Sequence, residues 1–141
     1  MNRRDFLAAT AAVTLVAPLM RAGPALAANS IAYVEGLEKT LLAEGKTVFL
    51  DFSATWCGTC KAQERVIDAL RAENPAYDAG ISFVRVDWDE FGDGTLSKAL
   101  NIPRRSVLVV LRGDAELGRV VAQTGRDEIK ALMDLALTPA T

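Results

Sequence analysis

Residues 47–54, Thr-Val-Phe-Leu-Asp-Phe-Ser-Ala, constrain the fold more than any other stretch. Apolar side chains occupy both alternating sets of positions, so a strand here is apolar on both faces. Such a strand belongs in the interior of a sheet that is covered on both sides. It runs at once into Thr-Trp-Cys-Gly-Thr-Cys-Lys, which carries the two cysteines of the chain, Cys57 and Cys60. From Gly58 the spacing turns helical, with Ala62, Val66, Ala69 and Leu70 on one stripe. Asn74-Pro75 stops that helix. The cysteines therefore sit where a buried strand gives way to a helix.

The remaining segments build one domain around that unit. Ser30 is placed to cap a helix bearing Ile31, Val34, Leu37, Leu41 and Leu42, which ends at Glu44-Gly45-Lys46. Residues 81–90 read as a second strand, 94–101 as a short helix and 106–113 as a third strand. A turn at Gly113-Asp114 leads to a fourth strand over 116–123, and an amphipathic helix over 125–137 closes the chain. The order is α-β-α-β-α-β-β-α. The strand–helix–strand start calls for a parallel pair, and the short turn at Gly113 for an antiparallel hairpin. The expectation is an α/β fold with a central mixed four-stranded sheet flanked by helices.

The first 27 residues read as an address rather than structure. Arg3 and Arg4 precede an apolar run from Phe6 to Met20, followed by Arg21, Gly23-Pro24 and Ala25-Leu26-Ala27. The run falls short of the roughly 20 residues that span a bilayer. A charged start, an apolar stretch and an Ala-x-Ala site make a signal peptide, with cleavage after Ala27 and a mature domain over 28–141. A membrane anchor or a buried first helix is the competing reading. Arg3-Arg4-Asp5-Phe6-Leu7 resembles a twin-arginine signal, which implies export to the periplasm and no stable membrane insertion after cleavage.

Composition closes several routes. There is no histidine. That excludes histidine catalysis, Cys₂His₂ zinc, histidine-ligated haem and Cys/His copper sites. Lys61 follows Cys60, so the pair is not a c-type haem attachment site. A net charge of −2 with no basic block gives no reason to expect nucleic acid.

At the start of a helix, unpaired N–H groups and the positive end of the dipole stabilise a thiolate. This favours Cys57 as an exposed, nucleophilic thiol. Cys60, one turn on, would be the more buried resolving thiol, close enough to close a ring. A structural disulfide is the weaker reading, because so short a loop removes little chain entropy. A metal or Fe–S site would need ligands from two chains. Asp51 lies six residues before Cys57 on the doubly apolar strand. Burial would raise its pKa and let it exchange a proton near neutral pH, as a general base does. The alternative is an edge aspartate without a role.

Phe49-Leu-Asp-Phe-Ser-Ala-Thr-Trp-Cys-Gly-Thr-Cys-Lys61 resembles the active-site segment of the thioredoxin family, through Asp51, Phe52, Ala54, Trp56, Cys57, Gly58, Cys60 and Lys61. The element order from about Ile31 to Leu137 is similar to that family's as well. The resemblance implies a thioredoxin-like fold and a thiol–disulfide oxidoreductase without a cofactor. It gives Asp51 the role of assisting deprotonation of the resolving thiol. Arg85 falls where the family has a lysine near that aspartate, and it either pairs with Asp51 or stays exposed. Trp56, Gly58, Thr59, Arg105 and Ser106 are the expected substrate-binding positions. Trp88 is expected to be structural, and Asp87, Asp89 and Glu90 to form a solvated strand end rather than a cation site.

Two departures from the family pattern matter. Thr59 stands where thioredoxins have proline, in the dipeptide that tunes the reduction potential. The family also has a cis-proline facing the cysteines. An ungapped register puts Ser106 there, preceded by Arg105, and a three-residue insertion would put Pro103 there instead. With Ser106 the bond is expected to be trans, since a non-proline cis bond costs about 2.5–4 kcal/mol. The expected activity is disulfide reduction. Substrates would be disulfide-containing proteins or small thiols, and electrons would come from a membrane-embedded thiol carrier, because the periplasm is oxidising. A dimer holding a metal or Fe–S cluster on Cys57 and Cys60 is the alternative, and a binding-only module a third reading.

Overall fold

A computed structural model describes residues 30–140. The signal-peptide reading of residues 1–27 therefore lies outside the described residues. The elements, in chain order, are β1 (Ile31–Ala32), α1 (Leu37–Ala43), β2 (Thr47–Ser53), α2 (Gly58–Glu73), α3 (Ala76–Gly80) and β3 (Ser82–Asp87). They continue with α4 (Trp88–Phe91), α5 (Thr95–Ala99), β4 (Val107–Arg112), β5 (Ala115–Val121) and α6 (Arg126–Leu137).

The strands form one mixed sheet in the order β1-β3-β2-β4-β5. β2 is central, parallel to β3 and antiparallel to β4. The sheet has five strands, where four are expected from the sequence. Ile31 and Ala32 do not begin a helix but pair with Val84 and Arg85, and the Tyr33 N–H extends the ladder to the Arg85 carbonyl at 2.9 Å. Without this strand β3 would present a row of unpaired backbone groups at the sheet edge. The helix starts only at Leu37, after Gly36 takes φ 85°.

The alternation along β2 divides the core. Val48, Leu50 and Phe52 pack on one face with Val84, Val86, Val107, Val109 and residues of α1 and α5. Phe49 faces the opposite side with Leu108, Val110 and residues of α2, α3 and α6. Full burial of each such aromatic or aliphatic side chain contributes roughly 1.5–3 kcal/mol. Asp51 is on the second face by the same period of two, beneath α2. The second strand is shorter than the sequence suggests. Asp87 accepts a hydrogen bond from the Asp89 N–H at 2.9 Å and so caps the short helix α4, which takes Trp88 out of the strand. On α2 the buried stripe is Cys60, Gln63, Ile67 and Leu70, rotated from the expected one. Among the described residues no helix is long and apolar enough to cross a membrane.

Candidate active site

Cys57 is the N-cap of α2, in extended conformation at φ −89° and ψ 113°. Its sulfur accepts the Cys60 N–H at 3.2 Å, one of the donors a helix start leaves unpaired. Cys57 and Cys60 are joined as a disulfide, with Cα atoms 5.3 Å apart, inside the usual range for the bond. Cys60 is 0% exposed and Cys57 only 3%, so both sulfurs are buried in the disulfide form and Cys57 is not the exposed group expected from the sequence. Ala54 and the partly buried Trp88 pack against the pair.

Ser106, not Pro103, faces the sulfurs. Its Oγ is 3.2 Å from Cys57 Sγ and 3.1 Å from Cys60 Sγ. Among the described residues no peptide bond is cis. Ser106 instead takes the left-handed conformation, φ 63°, just before β4. For a residue with a Cβ this costs about 1–2 kcal/mol, and it persists only where the surroundings over-determine it. Here they do. The Ser106 N–H donates to the Phe52 carbonyl at 2.7 Å, and its own carbonyl accepts the Ala122 N–H at 2.8 Å. The same carbonyl accepts from Gln63 Nε2 at 3.1 Å, and that amide also donates to the Gln123 carbonyl at 2.9 Å.

Gln63 is a site residue that the sequence reading missed. It is 0% exposed and ties α2 to the segments before β4 and after β5. A glutamine three residues after Cys60, hence on the same side of the helix, was the available signal.

Asp51 keeps one edge near the surface, but its Oδ1 is buried without a hydrogen-bond partner. Burial pushes its pKa up to about 7. Arg85 pulls it down, and the carboxylates of Glu64 and Asp68 on α2 push it further up. The Arg85 guanidinium takes neither of the two expected arrangements, being half-buried and paired with Glu64. It acts on Asp51 through its field, while its hydrogen bonds go to Glu64 Oε1 at 2.9 Å and Ser53 Oγ at 2.9 Å. A carboxyl group that titrates near neutrality can take a proton and return it within one turnover.

The rim of the site is built on Trp56, which is 57% exposed. Its indole N–H donates to both carboxylate oxygens of Asp89, at 3.1 and 3.0 Å. Arg105 lays its guanidinium 4.6 Å from the ring centroid, and Arg105 Nε is buried without a partner. Asp89 thus holds the indole rather than standing free at a strand end. Gly58 is exposed and Thr59 half-buried in the first turn of α2. Among the described residues no cluster of three or more Cys, Asp or Glu side chains is arranged to hold a metal ion.

The family model for thioredoxin matches residues 30–135. The chain belongs to the thioredoxin family. It is 32% identical over 85 residues to thioredoxin H2-1 of Oryza sativa, covering 60% of this chain and 56% of that protein. It is 31% identical over 80 residues to thioredoxin-1 of Saccharomyces cerevisiae, covering 57% of this chain and 72% of that one. The match to the Echinococcus granulosus thioredoxin covers 65% of that protein, so the chain spans between about half and two thirds of the length of several relatives. The crystal structure of Trxlp from Edwardsiella tarda superposes with a TM-score of 0.62 at 26% identity, covering 76% of this chain and 98% of that one. Within this thioredoxin framework the Cys-Gly-Thr-Cys pair faces the left-handed Ser106.

Proposed function

We propose that this thioredoxin-family chain is an exported thiol–disulfide oxidoreductase acting as a reductase. The observation that carries the reading is the Cys57–Cys60 pair at the N-terminus of α2, with a carboxyl group titrating near neutrality beneath that helix. In the reduced protein the Cys57 thiolate attacks a substrate disulfide. A sulfur–sulfur bond forms between Cys57 and the substrate, the substrate disulfide breaks, and the first substrate sulfur leaves and takes up a proton. Cys60 then gives its proton to Asp51, and its thiolate attacks Cys57 Sγ. The Cys57–Cys60 disulfide forms and the second substrate thiol leaves, so two electrons pass from protein to substrate.

Trp56, Arg105, Gly58 and Thr59 are the surface on which a disulfide-bearing protein would dock. The leader-like residues 1–27 support export, with Arg3-Arg4 as the routing signal. In an oxidising compartment a reductase depends on electrons from a membrane thiol carrier. The test is a Cys60→Ala variant expressed with its own leader. It should accumulate mixed disulfides on Cys57 in the exported fraction, released by reductant. No trapped partner, together with no reduction of insulin disulfides by the wild type, overturns the reading. Replacing both Arg3 and Arg4 by lysine should hold the protein in the cytoplasm.

A further inference from the structure

We propose that the Ser106 hydroxyl is a catalytic group of this dithiol, donating its hydrogen bond to the thiolate of Cys57 and passing it to Cys60 when the charge moves there. The proposal rests on the thiol–disulfide reading above and adds a residue to it.

The geometry leaves the hydroxyl little else to do. Its oxygen is almost equidistant from the two sulfurs, at 3.2 and 3.1 Å. Ser106 is 0% exposed. The backbone N–H and C=O of Ser106 are taken by Phe52, Ala122 and Gln63. Those three anchors come from β2, the end of β5 and α2, and they hold the residue at φ 63°. A strained backbone kept in place this firmly aims a side chain. Here it aims a donor at the reacting atoms.

The consequence follows from the change of charge. A disulfide sulfur is neutral and a weak acceptor. A thiolate accepts a charge-assisted hydrogen bond, about twice as strong as a neutral one. The Ser106 bond therefore strengthens on reduction. Before attack it holds the Cys57 thiolate. In the mixed disulfide Cys57 is neutral and Cys60 becomes the anion, and rotation of one O–H bond transfers the interaction. No proton is lost or gained at Ser106 and no covalent bond to it changes. By stabilising the reduced form, the hydroxyl makes the pair more oxidising than it would otherwise be.

The test compares Ser106→Ala and Ser106→Gly with the wild type. Both variants lack the hydroxyl, and only glycine takes the left-handed backbone freely. In a Cys60→Ala background Cys57 is the one remaining thiol. Its alkylation rate by iodoacetamide is followed against pH, with circular dichroism to check folding. The other charged groups near the pair, Asp51 on β2, Glu64 and Asp68 on α2, Arg85 on β3 and Arg105 before β4, are the same in every variant.

The midpoint should rise by about one unit in both variants, a tenfold loss of thiolate. With both cysteines present, equilibration against glutathione should show the variants about tenfold more reducing, which is about 30 mV for a two-electron couple. An unchanged alkylation midpoint in the variants overturns the proposal. So does a glycine variant that behaves like wild type, because the backbone and not the hydroxyl would then be responsible. If the alanine variant does not fold, the glycine variant decides alone. Alkylation needs no disulfide substrate, so its result stands whether or not the protein proves to be a reductase.

Discussion

Ser106 Oγ lies 3.2 Å from Cys57 Sγ, although 49 positions separate the two residues in the chain. The contact is made by the sheet. The Ser106 N–H is bound to the Phe52 carbonyl at the end of β2, and Cys57 follows β2 by a short turn. A serine in this place sets a hydroxyl against both sulfurs.

Removing either sulfur should separate the two halves of the reaction. Cys57→Ser is expected to lower disulfide reduction by at least roughly 10³-fold, as loss of a nucleophile does. Cys60→Ala should still react once with a substrate disulfide and then stall. Insulin reduction and mass spectrometry of the stalled adduct check both outcomes.

Asp51 should make stability depend on pH. Its folded pKa is raised to about 7, well above the usual carboxylate value. The folded state therefore keeps a proton that the unfolded chain releases, and stability falls as the pH climbs from about 4 through about 7. Asp51→Asn should remove this cost. Urea titrations should find it equal to wild type near pH 4 and more stable at about pH 8, by a few kcal/mol at most. The same variant should slow the step in which Cys60 attacks, and flatten its dependence on pH through neutrality.

Gln63→Ala should cost about 1–3 kcal/mol of stability, because a fully buried side chain loses its two hydrogen bonds, to the Ser106 and Gln123 carbonyls, at about 0.5–1.5 kcal/mol each. Denaturant unfolding of the oxidised protein measures it. The loss exceeds what an exposed helix position would show.

Arg105→Ala should weaken docking of protein substrates while leaving the dithiol intact. Losing its contact with the Trp56 ring removes about 0.5–1 kcal/mol. KM for a protein disulfide should rise several-fold with kcat little changed, and reduction of a small disulfide should be unaffected. Trp56 fluorescence should also respond, since the guanidinium stacks on its ring.

The fold was legible where the signals were local. β2, apolar on both faces, and the helical stripe after Gly58 announced the central strand and α2. The edge strand Ile31–Ala32 was not, because two residues carry no period. It exists only because β3 has an open side to pair with. Trp88 read as strand and is helical, since the Asp87 side chain caps the next turn and ends the extended run.

The sequence by itself determined the chemistry of the pair. A helix start, two cysteines one turn apart and an aspartate inside the preceding strand are short-range relations, set by residues within a few positions of one another. Only the tertiary structure decided what surrounds them. It chose Ser106 over Pro103 as the residue facing the sulfurs and gave Arg85 to Glu64 and Ser53 rather than directly to Asp51. It also joined Trp56 to Asp89 and Arg105. The reason is physical. Strand register and helix rotation are set by the packing of both core clusters together, and a shift of one residue in either would bring a different side chain to the sulfurs.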